Sequence, residues 1–168
     1  MVAGVLLEKQ VVVVCPNPGV VSAAVLSLVP MIHPFQWQSL LLPILPARML
    51  DFLDAPVPFI VGIQHKPVEL KMKTSNLVQV NVLKDQAEAA SQFLNVMRCY
   101  LESICSDLRS HTITSVQSDN DRVCLLLKDS FIDSFPNRDR PFIKLLVDTQ
   151  TFTVLSDSHL SSFENGYC

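Results

Sequence analysis

Apolar positions along this chain follow two regimes. Up to about residue 63 they come as short continuous runs cut by proline, and beyond it as longer periodic stripes. Lys9 to Val14 (KQVVVV) is an unbroken β-branched run, which predicts a strand covered on both faces. Asn17-Pro18 supplies a helix N-cap followed by proline in the first turn, opening a short helix through Val20 to Val29. Pro30 and Pro34 are expected to end that helix and to fix the turn MIHPFQWQ. A second apolar strand is predicted over Ser39 to Leu45, with Pro43 confining it to an edge or an irregular pairing. Ala47 to Leu53 follows as a helix of about two turns, Pro56 and Pro58 return the backbone to an extended path, and Phe59 to Ile63 (FIVGI) is a third buried strand.

The second regime is more polar. In Asn76 to Leu83, Leu77, Val80 and Val82 are interspersed with polar residues, as suits a strand near a sheet edge. From Asp85 to Ser110 the apolar residues at 90, 93, 94, 97, 100, 101, 104 and 108 form one helical stripe opposite Glu88, Arg98, Glu102 and Arg109. Asp121 to Ser134 is predicted as another helix, and Pro141 opens a last one, PFIKLLVDTQTFTVL. Early strands, late helices and crossovers long enough for parallel pairing predict an α/β fold, with a mostly parallel central sheet flanked by helices and a helical C-terminal part. The expected division is an α/β module over 1–115 and a helical segment over 116–168.

Charge and composition narrow the partners. The net charge is −3 with no run of Lys or Arg, which disfavours a nucleic-acid backbone and a polybasic membrane anchor. Apolar residues make up 49% and charged ones only 17%, below the quarter typical of soluble domains, so apolar surface for a partner is expected. Val11 to Ala47 contains no Asp, Glu, Lys or Arg, yet six prolines divide it. Its longest proline-free piece, Gly19 to Val29, is about half the roughly 20 residues that a bilayer requires. No transmembrane segment is predicted. Cys15, Cys99, Cys105, Cys124 and Cys168 form an odd set without a CxxC pair, read as reduced thiols in the cytosol.

Candidate chemistry is sparse. Four glycines allow no dinucleotide fingerprint, and no phosphate-binding loop of the GxxxxGK[ST] type occurs. CPNPG between a strand and a helix could hold an anion, but an ordinary capped turn is the better reading. His33, His65, His111 and His159 are scattered without a metal spacing, so no metal site is expected, and His33 reads as a hydrogen-bonded core histidine. Asp51 and Asp54 share a helix face, where an Arg48–Asp51 surface ion pair is a better expectation than acid/base chemistry. Neither a GxSxG elbow nor a Cys with a neighbouring His is present, so no catalytic residue and no cofactor are assigned.

The remaining signal is specific. The stretch LSLVPMIHPFQWQSLLLPILPARMLDFLDAPVPFIVGI resembles the central module of the DENN family. Its proline-aromatic-Trp turn corresponds to Pro34, Phe35 and Trp37, its Pro-x-Leu-Pro strand end to Pro43, Leu45 and Pro46, and its short helix to Met49 through Leu53. The Ala-Pro-x-Pro-Phe-x-x-Gly element corresponds to Ala55, Pro56, Pro58, Phe59 and Gly62. FIDSFPNRDRPFIKLLVDTQTF resembles the downstream segment of the same family, with Phe131, Arg140, Pro141, Phe142, Thr149, Gln150 and Phe152 in order. The likeness spans roughly Leu6 to Phe163.

This resemblance implies a cytoplasmic guanine nucleotide exchange factor for Rab GTPases in vesicle traffic, recruited peripherally to membranes through partners. An upstream longin-like lobe and the central lobe would grip the GTPase together. No such lobe precedes the first strand here, so a short product or a piece of a longer DENN protein is expected, with a non-exchanging module that binds a GTPase or another DENN chain as the alternative. The motif residues Phe35, Trp37, Pro43, Pro46, Ala55, Pro56, Pro58, Phe59, Gly62, Thr149, Gln150 and Phe152 are expected to shape the lobe, Trp37 among them as a buried anchor. Partner contacts are placed instead on the loops after the strands, around Asn17, His65 and Lys66, because open α/β sheets bind at the carboxyl ends of their strands.

Overall fold

A computed structural model describes residues 1–66, 77–81, 87–118 and 121–164. Four parallel strands, β1 (Gln10–Val14), β2 (Leu40–Leu42), β3 (Phe59–Ile63) and β4 (Leu77–Asn81), lie in the order β2-β3-β1-β4. The two most apolar runs therefore take the centre, and β4 and the short β2 take the edges. The expected strand through Leu45 stops at Leu42, one residue before Pro43, which has no N–H to give to a ladder.

Alternation along the central strands divides the core in two. Val11 and Val13 of β1 and Ile60 of β3 face the larger cluster, which draws in α1 (Val2–Leu6), α2 (Pro18–Met31), α3 (Ala87–Ser106) and the later helices α4 (Lys128–Ser134), α5 (Arg140–Leu146) and α6 (Gln150–Glu164). Val12, Phe59, Val61 and Ile63 face a smaller cluster closed by Leu45 and Leu53, the latter on a 3-10 segment, η1 (Ala47–Asp54).

Asn17 caps α2 as its spacing predicts: its Oδ1 accepts the N–H groups of Gly19 at 2.9 Å and Val20 at 3.3 Å. Pro30 does not end this helix but lies inside its last turn. The hydrogen bond that Pro30 cannot donate would have gone to the carbonyl of Leu26, a residue on the exposed face where water can replace it. α1, an element the sequence reading left unassigned, places Val2, Val5 and Leu6 in the core.

The expected helix over Asp121 to Ser134 is overturned. β5 (Thr112–Ser118) and β6 (Asp121–Leu126) pair antiparallel as a hairpin, and α4 begins only at Lys128. The apolar run Val123 to Leu127 fits either period, and the β-branched partner strand, beginning Thr112-Ile113-Thr114, decides for the sheet. The residue 115/116 division falls inside β5. The last predicted helix is two, α5 and α6, parted at Val147 to Thr149. Thr149 Oγ1 donates to the Leu146 carbonyl at 2.7 Å and accepts the Phe152 N–H at 3.2 Å, closing one helix and capping the next.

Candidate functional site

The three residues expected to face a partner are brought to one edge. β1 and β3 are neighbours in register, with Val14 opposite Ile63, and the Cys15 N–H donates to the Ile63 carbonyl at 3.1 Å. The loop carrying Asn17 and the loop carrying His65 and Lys66 thus leave adjacent strand ends, and all three residues are exposed. Because Asn17 Oδ1 already occupies the free N–H groups of α2, the turn behaves as a capped helix start, and the Asn17 amide N–H2 is what remains for a partner. The stretches Cys15 to Gly19 and Gln64 to Lys66 hold no carboxylate and one cation, Lys66, so this edge offers donors and positive charge.

The motif residues shape the sheet from both ends, with Gly62 near this carboxyl edge and Ala55 to Phe59 at the amino end of β3. A Cβ on Gly62 would collide with the Pro43 carbonyl and stand 2.9 Å from Val21 Cγ2, so only glycine lets the chain after β2 close over β3. The Leu45 N–H then donates to the Gly62 carbonyl at 2.7 Å. Pro46 is the extended residue before η1, and Ala55 the extended residue after it. Gln10 Nε2 donates to the Ala55 carbonyl at 2.6 Å, which ties η1 back to β1. Pro56 is exposed and Pro58 half-buried, while Phe59 is fully enclosed with its ring 5.6 Å from that of Phe52.

The two motif regions meet in space. Phe152 lies 6.5 Å from Phe35 and 5.7 Å from Phe131, centroid to centroid, inside the larger core. Arg140 closes the C-terminal end of α4, donating to the carbonyls of Phe135 at 2.9 Å and Asp133 at 2.6 Å. Gln150 is exposed at the start of α6. Trp37 departs from expectation: it is half-buried against the larger core, with Nε1 donating to the Leu40 carbonyl at 3.2 Å. His33, read as a core residue, is exposed, while Ile32 and Phe35 on either side of the turn go inward.

Candidate chemistry outside this edge is limited. Asp51 and Asp54 are exposed on η1, and no Arg48–Asp51 ion pair forms among the described residues. Met49, with φ −114° and ψ 18°, breaks the helical register between Arg48 and Asp51. No group of three or more His, Cys, Asp or Glu side chains among the described residues could hold a metal ion. An open pocket of about 390 Å³, which the sequence reading missed, is lined by Pro34, Glu102, Cys105, Ser106, Arg109 and His159. Its helical side was visible as the spacing 102, 105, 106, 109, but nothing in the sequence joined Pro34 or His159 to it. Burial, and then the charge of Glu102, push the Cys105 thiol up to about 12, which makes it an inert floor and not a nucleophile.

Comparison with known proteins bears on this geometry directly. The sequence profile of the DENN (AEX-3) domain matches residues 1–85, which hold the whole parallel sheet and its carboxyl edge. The chain belongs to the DENN domain family. Among its relatives, DENN domain-containing protein 2B of Homo sapiens is 38% identical over 86 residues, 50% of this chain and 8% of its own length. DENN domain-containing protein 1A of Homo sapiens is 29% identical over 108 residues, 64% of this chain and 10% of its own. "Elicitor of plant defense protein 1" of Verticillium dahliae is 32% identical over 91 residues, 54% of this chain and 8% of its own. The DENN chain described here therefore aligns with a tenth or less of each of these relatives. No helix among the described residues is long and apolar enough to cross a membrane.

Proposed function

We propose that this DENN chain is a Rab GTPase-interacting module, the central lobe of a guanine nucleotide exchange factor that acts in membrane traffic. The observation that carries the reading is the family match over residues 1–85, the stretch that holds the parallel sheet. Partner contacts are proposed for the carboxyl edge, at Asn17, His65 and Lys66, with the motif residues Phe35, Trp37, Phe59, Gly62, Thr149 and Phe152 shaping the fold that carries it. The segments 1–115 and 116–168 are proposed as a central module and the start of a downstream segment, two stretches of sequence that share one core. A cytoplasmic place with peripheral recruitment to membranes through partners belongs to the same proposal.

Exchange requires no bond to be broken. A protein that binds the nucleotide-free GTPase more tightly than the loaded one must weaken nucleotide binding by the same factor, and each tenfold takes about 1.4 kcal/mol of differential contact. Donors and a cation on an exposed edge can supply contacts of this kind. Since the alignments reach a tenth or less of the relatives' length, exchange is proposed for this lobe joined to a longin-like lobe. GDP release from a panel of Rab proteins tests this: weak release with the chain alone and restored release with a longin lobe fused to its N-terminus are expected. If the fusion pulls down a Rab without releasing nucleotide, the chain is a non-exchanging interaction module. If the fusion binds none of the panel in any nucleotide state, the Rab reading is overturned.

A further inference from the structure

Glu8 is the only described non-glycine residue with a positive φ, at 51°. It stands just past the end of α1, where Lys9 N–H donates to the Gly4 carbonyl at 2.9 Å and Glu8 N–H to the Val5 carbonyl at 3.0 Å. This paired pattern closes a helix through a left-handed residue, a position that glycine or asparagine fills most easily. Glutamate therefore occupies an unfavourable backbone site, and its side chain supplies a reason. Glu8 Oε1 accepts both the Thr151 backbone N–H at 2.7 Å and the Thr151 hydroxyl at 2.8 Å, across 143 residues of sequence. Thr151 is fully buried in the first turn of α6, where a carboxylate meets the positive end of the helix dipole.

We propose that Glu8 is a latch: it couples the corner between α1 and β1 to α6, so that the two ends of the chain open and close as one unit. The seat that α6 fills explains why such a device matters. Phe152, next to Thr151, lies between Phe35 and Phe131, so an α6 that swings out bares aromatic surface belonging to both motif regions. A load on α1 is felt at α6, and displacement of α6 frees Glu8. The coupling is reciprocal because both ends hold the same two hydrogen bonds. This inference stands independently of the proposed GTPase partner.

Hydrogen exchange on the full chain, followed against denaturant, tests it. The amides of Glu8, Lys9 and Thr151 to Leu155 are expected to share one opening with a shallow denaturant dependence, distinct from the steeper, global opening of β1 and β3. Glu8→Gly relieves the backbone but removes the acceptor, and should speed exchange at least tenfold at both ends alike. Thr151→Val keeps the shape and loses one hydrogen bond, and should also speed exchange at Glu8 and Lys9, far from the substitution in sequence. Adding Thr151→Val to Glu8→Gly should change the rate by less than about twofold, as expected of partners in one interaction. Glu8→Gln, which keeps a neutral acceptor, provides the intermediate case should the glycine variant fail to fold. Exchange of both ends only through the global opening, effects of the two substitutions that multiply, or an unmoved Glu8–Lys9 corner in Thr151→Val would each overturn the latch.

Discussion

The two faces of the parallel sheet are built on different principles. One face carries a core to which α1, α2, α3, α4, α5 and α6 all contribute, so its contacts join residues from both ends of the chain. Among the described residues, the other is sealed by residues between Val12 and Ile63, beneath the 3-10 segment η1. A core assembled from distant segments opens only when segments from both ends of the chain move together, whereas a local cover can lift by itself. The motif residues divide accordingly: Phe35, Phe131 and Phe152 knit the helical face, and Phe59 fills the thin one.

The largest effect is expected where the two motif regions meet. Phe152 is 1% exposed, and Phe152→Ala should cost about 3–5 kcal/mol through lost burial and the cavity left behind. Leu53 is 2% exposed on the thin face, and Leu53→Ala should cost about 2–3 kcal/mol, the low end for such truncations, because η1 can settle into the space. Urea unfolding of both variants measures the difference. An equal or larger loss in Leu53→Ala would show that the thin face is as tightly bound to the global fold as the helical one.

A mid-sized effect is expected at Gly62, where the chain after β2 passes close to β3 and α2. Gly62→Ala forces a methyl against the Pro43 carbonyl, a backbone group that cannot rotate aside, and against Val21 of α2. Overpacking of this kind costs about 1–3 kcal/mol, and it should also loosen the Leu45–Gly62 hydrogen bond that holds the cover over the thin face. A thermal melt of Gly62→Ala that matches the parent would show that the loop after β2 has room to move, and would remove the reason for glycine there.

The same contrast explains what could be read from the sequence. The parallel sheet was legible because proline punctuates its short apolar runs, and the unbroken β-branched composition of a run such as Val11 to Val13, buried on both faces, favours a strand. The hairpin β5–β6 was not, since Val123 to Leu127 also fits a buried helix and only its cross-strand partners distinguish the two. His33 was misplaced, and Trp37 expected deeper than it lies, for a related reason: an uncharged neighbourhood says that the region is apolar, not how far each side chain of a turn goes inward. That Asn17, His65 and Lys66 follow strands was legible in the sequence, while their adjacency, and the open pocket that joins Pro34 and His159 to α3, came only with the folded chain. Glu8 gave no signal at all, because its partner lies 143 residues away.

The smallest expected effect probes the rim of the helical face, where α3 carries one exposed thiol and one buried thiol. Cys99 and Cys105 are six residues apart, about 240° around a helix, so they point to different faces and cannot bridge. Iodoacetamide at pH 8 should label Cys99 and leave Cys105 unmodified, since burial and Glu102 hold its thiol protonated. Rapid labelling of Cys105 would mean that the pocket floor opens readily and that the helical face frays before the thin one. The pH dependence carries the same information with a definite sign. In the unfolded chain this thiol releases its proton near the ordinary value of 9.0, and in the folded chain only at about 12. Its contribution is therefore fully present below about pH 9 and is lost as pH rises toward 12, because over that interval folding must take up a proton. Tyr100, raised by burial and then by Asp139, against a smaller lowering from Arg138, adds a loss of the same sign. Cys105→Ala should accordingly shrink the alkaline loss of stability without abolishing it. An alkaline limb identical in parent and variant, followed by thermal melts between pH 8 and pH 11, would show that Cys105 ionises in the folded chain as freely as in the unfolded one.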